Sequence, residues 1–311
     1  MKQKLFALSL AVLTAIGLTA CGSTAQTAIA DSDPLAASAG MSEDFSAQST
    51  AASESASVQE GEAAVIESTV LVDQDGIVIT AQELVEDEIW GTGIKFLVQN
   101  NSSKNQTIGC DYAVVNNFMM TSLPFGVDVA AGKKSNEILY FSNDVMEGAD
   151  IQTITDMSFV FRAVDPDTYQ TVFTTQEVSL STSAAGSYEQ SVPSDGKELY
   201  NENGVRVVGR YVEEDTLWGA GIVLLIENTG ESDIILSCDD MSINGFMVSP
   251  FFSARVNSGR MALSNITITS SDLEENGIES VEDVEMVFKA LNPDNYQTIF
   301  ETSAISFSVG E

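Results

Sequence analysis

The sequence predicts an all-β protein: two tandem antiparallel β-sandwich repeats standing behind an apolar leader and a polar spacer. Three observations carry that expectation. A long internal repeat occupies most of the chain, apolar residues fall at alternate positions within both copies, and turn residues recur at short intervals. With 311 residues, 44% of them hydrophobic, the chain is long enough for two cored domains.

The leader comes first. Lys2 and Lys4 precede an apolar run from Leu5 to Leu18, which ends in Leu18-Thr19-Ala20-Cys21 followed by Gly22 and Ser23. A run this short does not span a ~30 Å hydrocarbon core with these flanks, but it has the length of a secretory h-region. Leu18-Thr19-Ala20-Cys21 resembles the lipobox of bacterial lipoproteins. That resemblance implies cleavage between Ala20 and Cys21 and a diacylglyceryl group on the Cys21 thiol. Residues 1–20 are then the signal peptide, and the mature chain is held by lipid on the extracytoplasmic face of a bacterial membrane. Two acyl chains anchor stably where one binds marginally, because each buried CH₂ contributes about 0.8 kcal/mol. The rival reading, an ordinary secretory signal with Cys21 incidental, also places the mature chain outside the cytoplasm.

Residues 21–66 form the spacer. They are rich in Ala, Ser, Thr and Gln with scattered acids, and no Lys or Arg occurs between Lys4 and Lys95. Apolar residues larger than alanine are sparse, so the segment is expected to be disordered and to act as a tether.

Asp73 to Met119 then lies on Asn201 to Met247 at a constant shift of 128 residues, without a gap. The matches include Gly76 with Gly204, Trp90 with Trp218, Gly93 with Gly221, Asn100 with Asn228, Cys110 with Cys238, and Asn116 with Asn244. After a one-residue deletion, Phe159 to Thr171 reads onto Met286 to Thr298 at a shift of 127. The repeats are placed at 67–182 and 198–311, joined by a polar linker at 183–197.

Alternation assigns the core faces. Ile94, Phe96 and Val98, and in the second copy Ile222, Leu224 and Ile226, should point inward. Met157, Phe159, Phe161 and Ala163 should face them, as should Val284, Met286, Phe288 and Ala290. Val115-Asn116-Asn117-Phe118 and Ile243-Asn244-Gly245-Phe246 read as two-residue hairpins. Asp165-Pro166-Asp167-Thr168 and Asn292-Pro293-Asp294-Asn295 read as type I turns. Ser270 to Gly277 reads as one or two helical turns, capped by Ser or Asp and stopped by glycine, with a partner at Ser142 to Gly148. About seven strands per copy favour an immunoglobulin-like sandwich. The Asn100, Asn116-Asn117 and Pro166-Asp167-Thr168-Tyr169 elements, in that order, resemble lipoproteins of Gram-positive bacteria that carry such domains. The resemblance implies a fold and a compartment, and no activity.

Composition then narrows function. With 13 basic against 46 acidic residues the formal charge is -33, which repels phosphate backbones and makes nucleic acid a poor partner. There is no histidine, which removes the commonest general base and metal ligand. The sequence therefore predicts a non-enzymatic protein with no catalytic residue, no metal site and no cofactor. Cys110 and Cys238 sit at equivalent points of the repeats and are expected as buried free thiols. Asp73-Gln74-Asp75-Gly76 lacks the ligand order of a calcium loop and is expected as a plain turn. Acidic clusters such as Glu83, Glu86, Asp87 and Glu88, or Glu213, Glu214 and Asp215, are expected as solvated loops, with paired acids for glycan hydrolysis as the remote alternative.

Trp90 and Trp218 are the candidate ligand contacts. Large aromatics are highly buried on average, so packing against the sandwich end is the first expectation. Stacking on a cell-wall glycan or an unknown protein is the alternative. The expected function is a membrane-tethered binding or envelope-interaction module. An accessory subunit of a membrane complex is the second reading.

Overall fold

A computed structural model describes residues 26–28, 64–120, 123 and 125–309. The leader, Ala20, Cys21 and nearly all of the spacer lie outside the described residues. Strand β1 (Gln26–Ala28) precedes the repeats. In the first repeat, β2 (Thr69–Gln74), β3 (Ile77–Asp87), β4 (Gly91–Asn100) and β8 (Lys134–Tyr140) form a four-stranded antiparallel sheet in that order. The facing layer centres on β5 (Gln106–Val115) and β9 (Asp156–Val164). Strands β6 (Phe118–Met120) and β7 (Gly126–Val129) share the other edge of β5, and β10 (Thr171–Thr174) and β11 (Val178–Ser181) share the far edge of β9.

The second repeat repeats this plan. Strands β12 (Lys197–Glu202), β13 (Val205–Thr216), β14 (Gly219–Asn228) and β18 (Arg260–Thr269) form its first layer. The second layer holds β15 (Ile234–Ile243), β16 (Phe246–Val248), β17 (Ser253–Val256), β19 (Asp283–Leu291), β20 (Thr298–Glu301) and β21 (Ile305–Ser308). Among the described residues each repeat has ten strands where about seven are expected. Breaks account for part of the difference: β6 with β7, and β10 with β11, are each a single edge line interrupted midway.

The expected core faces are the observed ones. Ile94, Phe96, Val98, Ile222, Leu224, Ile226, Phe159, Phe161 and Phe288 are fully buried. Phe96 meets Phe159 and Phe161 edge-on at 5.4 Å. The turns follow the residue types. Asn116 and Asn117, Asn244 and Gly245, Asp75 and Gly76, and Asn203 and Gly204 all have positive φ, the signature of type I′ hairpins. The Asp165 turn extends one residue further, to a left-handed Tyr169 whose N–H donates to Asp165 O at 2.8 Å. Helix α1 (Asn143–Gly148) and helix α2 (Ser270–Asn276) occupy matching places. The cap of α2 is Thr269, one residue before the expected Ser or Asp, and its side chain accepts from Asp272 N. Gly277 closes the helix at φ 66°.

Two expectations are corrected. Part of the spacer is ordered: β1 pairs antiparallel with β13, Gln26 opposite Glu213 and Ala28 opposite Tyr211. Strand β12 covers β13 only as far as Gly209, so the outer edge of Tyr211 to Glu213 is open and takes up another strand. The stretch 183–197 is also more than a linker. Gln190 accepts from Asn116 Nδ2 and donates to Ala149 O, and Asp195 takes a bidentate bond from Arg210.

The repeats are joined through one continuous sheet. Strand β6 pairs in parallel with β18, Phe118 opposite Met261 and Met119 opposite Ala262. Arg260 reaches back to Asn117 Oδ1 at 3.0 Å and Glu177 Oε1 at 2.6 Å. Arg210 donates to Gly148 O. Val208, Val223, Leu225 and Leu263, on the outer face of the second repeat, belong to the first repeat's core cluster. At the equivalent positions the first repeat carries Thr80, Lys95, Leu97 and Asn136. Its own outer face is thus largely polar.

Candidate functional site

The β3–β4 and β13–β14 hairpins place Trp90 and Trp218 at their tips, outside either core. Trp90 is 59% exposed and Trp218 70% exposed, which corrects the expectation of core packing. The residue before each is more exposed still, Ile89 at 79% and Leu217 at 88%. Each repeat therefore holds an aliphatic–tryptophan pair in solvent. Hydrophobic burial cannot be what keeps these side chains in place, so the backbone must do it.

In the first tip, Asp87 Oδ1 accepts from Ile89 N at 2.8 Å and from Trp90 N at 2.9 Å. Those two bonds, Trp90 first, hold the Asp87 carboxyl below its usual range, since they favour the charged form. The Trp90 ring lies 6.2 Å from Tyr140, tilted by 31°. Gly91 follows at φ 72°, and a β-carbon there would fall on the Asn143 side chain, so only glycine closes this turn beside α1.

The second tip is tighter. Thr216 pairs directly with Gly219, leaving Leu217 and Trp218 as the two turn residues. Thr216 Oγ1 donates to Gly219 O at 2.7 Å and accepts from Trp218 N at 3.3 Å. Ser270 N, at the start of α2, donates to Trp218 O at 2.8 Å. Different chemistry, a carboxylate in one copy and a hydroxyl in the other, produces the same rigid presentation.

Asn117 O accepts from Met261 N at the start of β18, whereas Gly219 pairs with Thr269 at its end. In the first repeat Phe141 N donates to Thr92 O, and α1 follows, with Asp144 and Glu147 lining a cleft shared with Glu213 of the second repeat.

Other exposed apolar residues had no signal in the sequence reading. Tyr169 and Tyr296 project from equivalent turns, and Phe246, Met247 and Phe251 lie exposed around β16. Phe118 and Met119, the counterparts of Phe246 and Met247, are buried at the joint. Between the repeats runs a cleft of about 620 Å³ lined by Asp144, Glu147, Arg210, Glu213 and Asn265. Its one cation, Arg210, is already committed to Asp195 and Gly148.

The expected free thiols are free, though Cys110 is only half-buried while Cys238 is buried. Burial pushes both up to about 12, with Asp111 adding to the effect at Cys110. Thiols so protonated are poor nucleophiles. Asp73 to Gly76 is the hairpin turn between β2 and β3, and Glu83 pairs with Lys95 at 2.8 Å.

No known protein family matches the sequence, and no curated protein matches it either. Among solved structures the chain is similar to the YadV chaperone at 14% identity and a TM-score of 0.23, over 74% of this chain and 99% of that one. It is also similar to the Salmonella enterica SafA pilin in complex with the SafB chaperone, at 10% identity and a TM-score of 0.18 over 70% and 88% of the two chains. Similarity at these scores says nothing about what the chain binds.

Proposed function

We propose that this chain is a lipid-anchored, extracytoplasmic binding protein without enzymatic activity, its repeats immunoglobulin-like, held to a bacterial membrane through Cys21. The observation that carries the binding reading is the pair of hairpin tips, each presenting an aliphatic side chain and a tryptophan on a backbone locked by side-chain hydrogen bonds. Exposing such residues forgoes about 1.5–3 kcal/mol of burial apiece, a cost recovered when a partner covers them. A cell-wall glycan or a protein is the partner class that suits an exposed indole.

Binding of purified protein to a panel of cell-wall glycans and envelope proteins tests this. A hit should weaken at least several-fold with Trp90→Ala or Trp218→Ala while the melting temperature stays unchanged. Binding that survives both substitutions would reject the tips as contacts. Separately, Cys21→Ala should move the protein from the membrane fraction to the soluble fraction, and a variant that stays membrane-bound with unchanged mobility would reject the anchor.

One observation favours the second reading, an accessory subunit of a membrane complex. The two-residue turn makes Ile243 and Phe246 a hydrogen-bonded pair, so the N–H and C=O of Met247 point away from β15. The matching edge, β6, is the strand that takes β18 within this chain. Mutual dependence of complex assembly on Met247→Pro, with the tips intact, would support that reading over ligand capture.

A further inference from the structure

We propose that the turn between β9 and β10, and its counterpart between β19 and β20, are binding sites for a neutral glycan, with Tyr169 and Tyr296 as the stacking rings. These sites are separate from the hairpin tips and depend on neither the tip reading nor the anchor reading.

The same bonds build the turn in both repeats. Asp165 Oδ1 accepts from Asp167 N at 3.0 Å and Thr168 N at 3.1 Å, and Asn292 Oδ1 accepts from Asp294 N at 2.9 Å and Asn295 N at 3.2 Å. Asp165 N donates to Gln170 O and Asn292 N to Gln297 O, which closes each turn. Backbone, capping side chain and proline thus make the turn. The side chains beyond them have no such task. Asp167, Tyr169, Gln170 and Thr171 recur as Asp294, Tyr296, Gln297 and Thr298. All are exposed, Tyr169 by 85% and Tyr296 by 70%. Among the described residues none of these side chains makes a hydrogen bond, an ion pair or a ring contact. The tyrosines also oppose the local backbone: both sit at φ 57°, where asparagine or glycine fits and a bulky residue is strained. Copies that differ as Thr80 from Val208 and Lys95 from Val223 keep the same unbonded tyrosine at the same strained point. A side chain that the fold does not use and the backbone disfavours is accounted for by a ligand.

The chemistry names the ligand class. A tyrosine face stacks on the C–H face of a pyranose, while the phenol, the Gln170 amide, the Thr171 hydroxyl and the Asp167 carboxylate offer donors and acceptors to the sugar hydroxyls. Asp167 and Asp294 belong to a chain of net charge -33, so an anionic polymer is repelled. The rings stand on open turns, which suits a sugar chain laid across them better than a protein hot spot, whose anchors fill desolvated pockets. Each site lies at the end of its sandwich remote from the tryptophan. β4 runs ten residues from Gly91, next to Trp90, to Asn100, whose Nδ2 donates to Lys104 O, and Lys104 Nζ lies 3.5 Å from Asp165 Oδ2. At about 3.3 Å per residue the tip and the turn are roughly 30 Å apart. In the second repeat β14 makes the same span, and Ile235 lies opposite Leu291, just before the turn.

Isothermal titration of the purified full chain with tetramers of glucose, mannose and N-acetylglucosamine tests this. At least one tetramer should bind with two equivalents per chain. Tyr169→Asn and Tyr296→Asn should each remove one equivalent, and the two together should abolish binding, while Trp90→Ala and Trp218→Ala leave it unchanged. Asparagine accepts the left-handed backbone, so each tyrosine variant should melt at the parent's temperature or above it, which separates a lost contact from a lost fold. No binding of any tetramer at millimolar concentration would overturn the proposal. Binding that the double tyrosine variant retains, or that only the tryptophan substitutions remove, would overturn it too. A lower melting temperature for both tyrosine variants would assign the rings to the fold. Benzoylphenylalanine placed at Thr168 that crosslinks to a protein in intact cells, with no tetramer bound in titration, would replace the glycan by a polypeptide partner.

Discussion

Leu97 and Leu225 are the same residue at the same point of the two repeats, and they differ in what covers them. Leu225 is fully buried under the first repeat, whereas Leu97 stays half-buried on an open face. Truncation to alanine should therefore be unequal. Leu225→Ala removes a buried side chain from a packed joint, for which about 2.7–5 kcal/mol is expected. Leu97→Ala loses about half the transfer term and opens no cavity, about 1 kcal/mol. The difference of roughly 2 kcal/mol corresponds to about 4–8 °C in melting temperature for a body of this size. Both variants are made in the Cys21→Ala protein and compared by thermal and urea unfolding. Equal costs would refute the reasoning: the repeats would then be separate beads in solution and the shared sheet would not exist there.

Alkaline stability follows from the thiols and one tyrosine. Burial raises Cys110 and Cys238 from 9.0 to about 12, and burial followed by the nearby Glu177 raises Tyr112 from 10.0 to about 12. A raised folded value means that the unfolded chain releases its protons first, so stability is complete below pH 9 and falls as pH rises toward 12. Urea midpoints measured between pH 8 and 12 should show the decline, and Tyr112→Phe should lessen its part above pH 10. Asn228 is buried, donates to Ser232 O and Val256 O at 2.9 Å, and accepts from Gly230 N at 3.0 Å. Asn228→Ala strands all three groups and should cost about 3 kcal/mol, read as a melting temperature lower by roughly 6–12 °C.

Much of the fold was legible because period and turn chemistry are local. Alternation named the inward faces, and Asn-Asn, Asn-Gly, Asp-Gly and Pro-Asp marked the hairpins, because only residues tolerant of positive φ close them without strain. The joint was less visible, although it left a trace. Ile222-Val223-Leu224-Leu225-Ile226 has no polar residue where the first copy has Lys95, and a strand apolar on both sides needs cover on both sides. What supplied that cover lay about a hundred residues away in the chain. The candidate site was half legible: the repeated Trp90 and Trp218 stood out, but average burial argued for the core.

The sequence by itself determined the class of fold, its duplication, the facing core residues, and the leader motif from which the compartment is proposed. Each of these depends on neighbours within a few positions, or on a repeat that can be aligned. The tertiary structure alone decided that the repeats share a sheet, that a piece of the spacer closes the edge of β13, and that both tryptophans stand in solvent. Those depend on which distant strand edge lies open, and on whether a hairpin outruns the layer that would have buried its tip. Neither is written in local spacing.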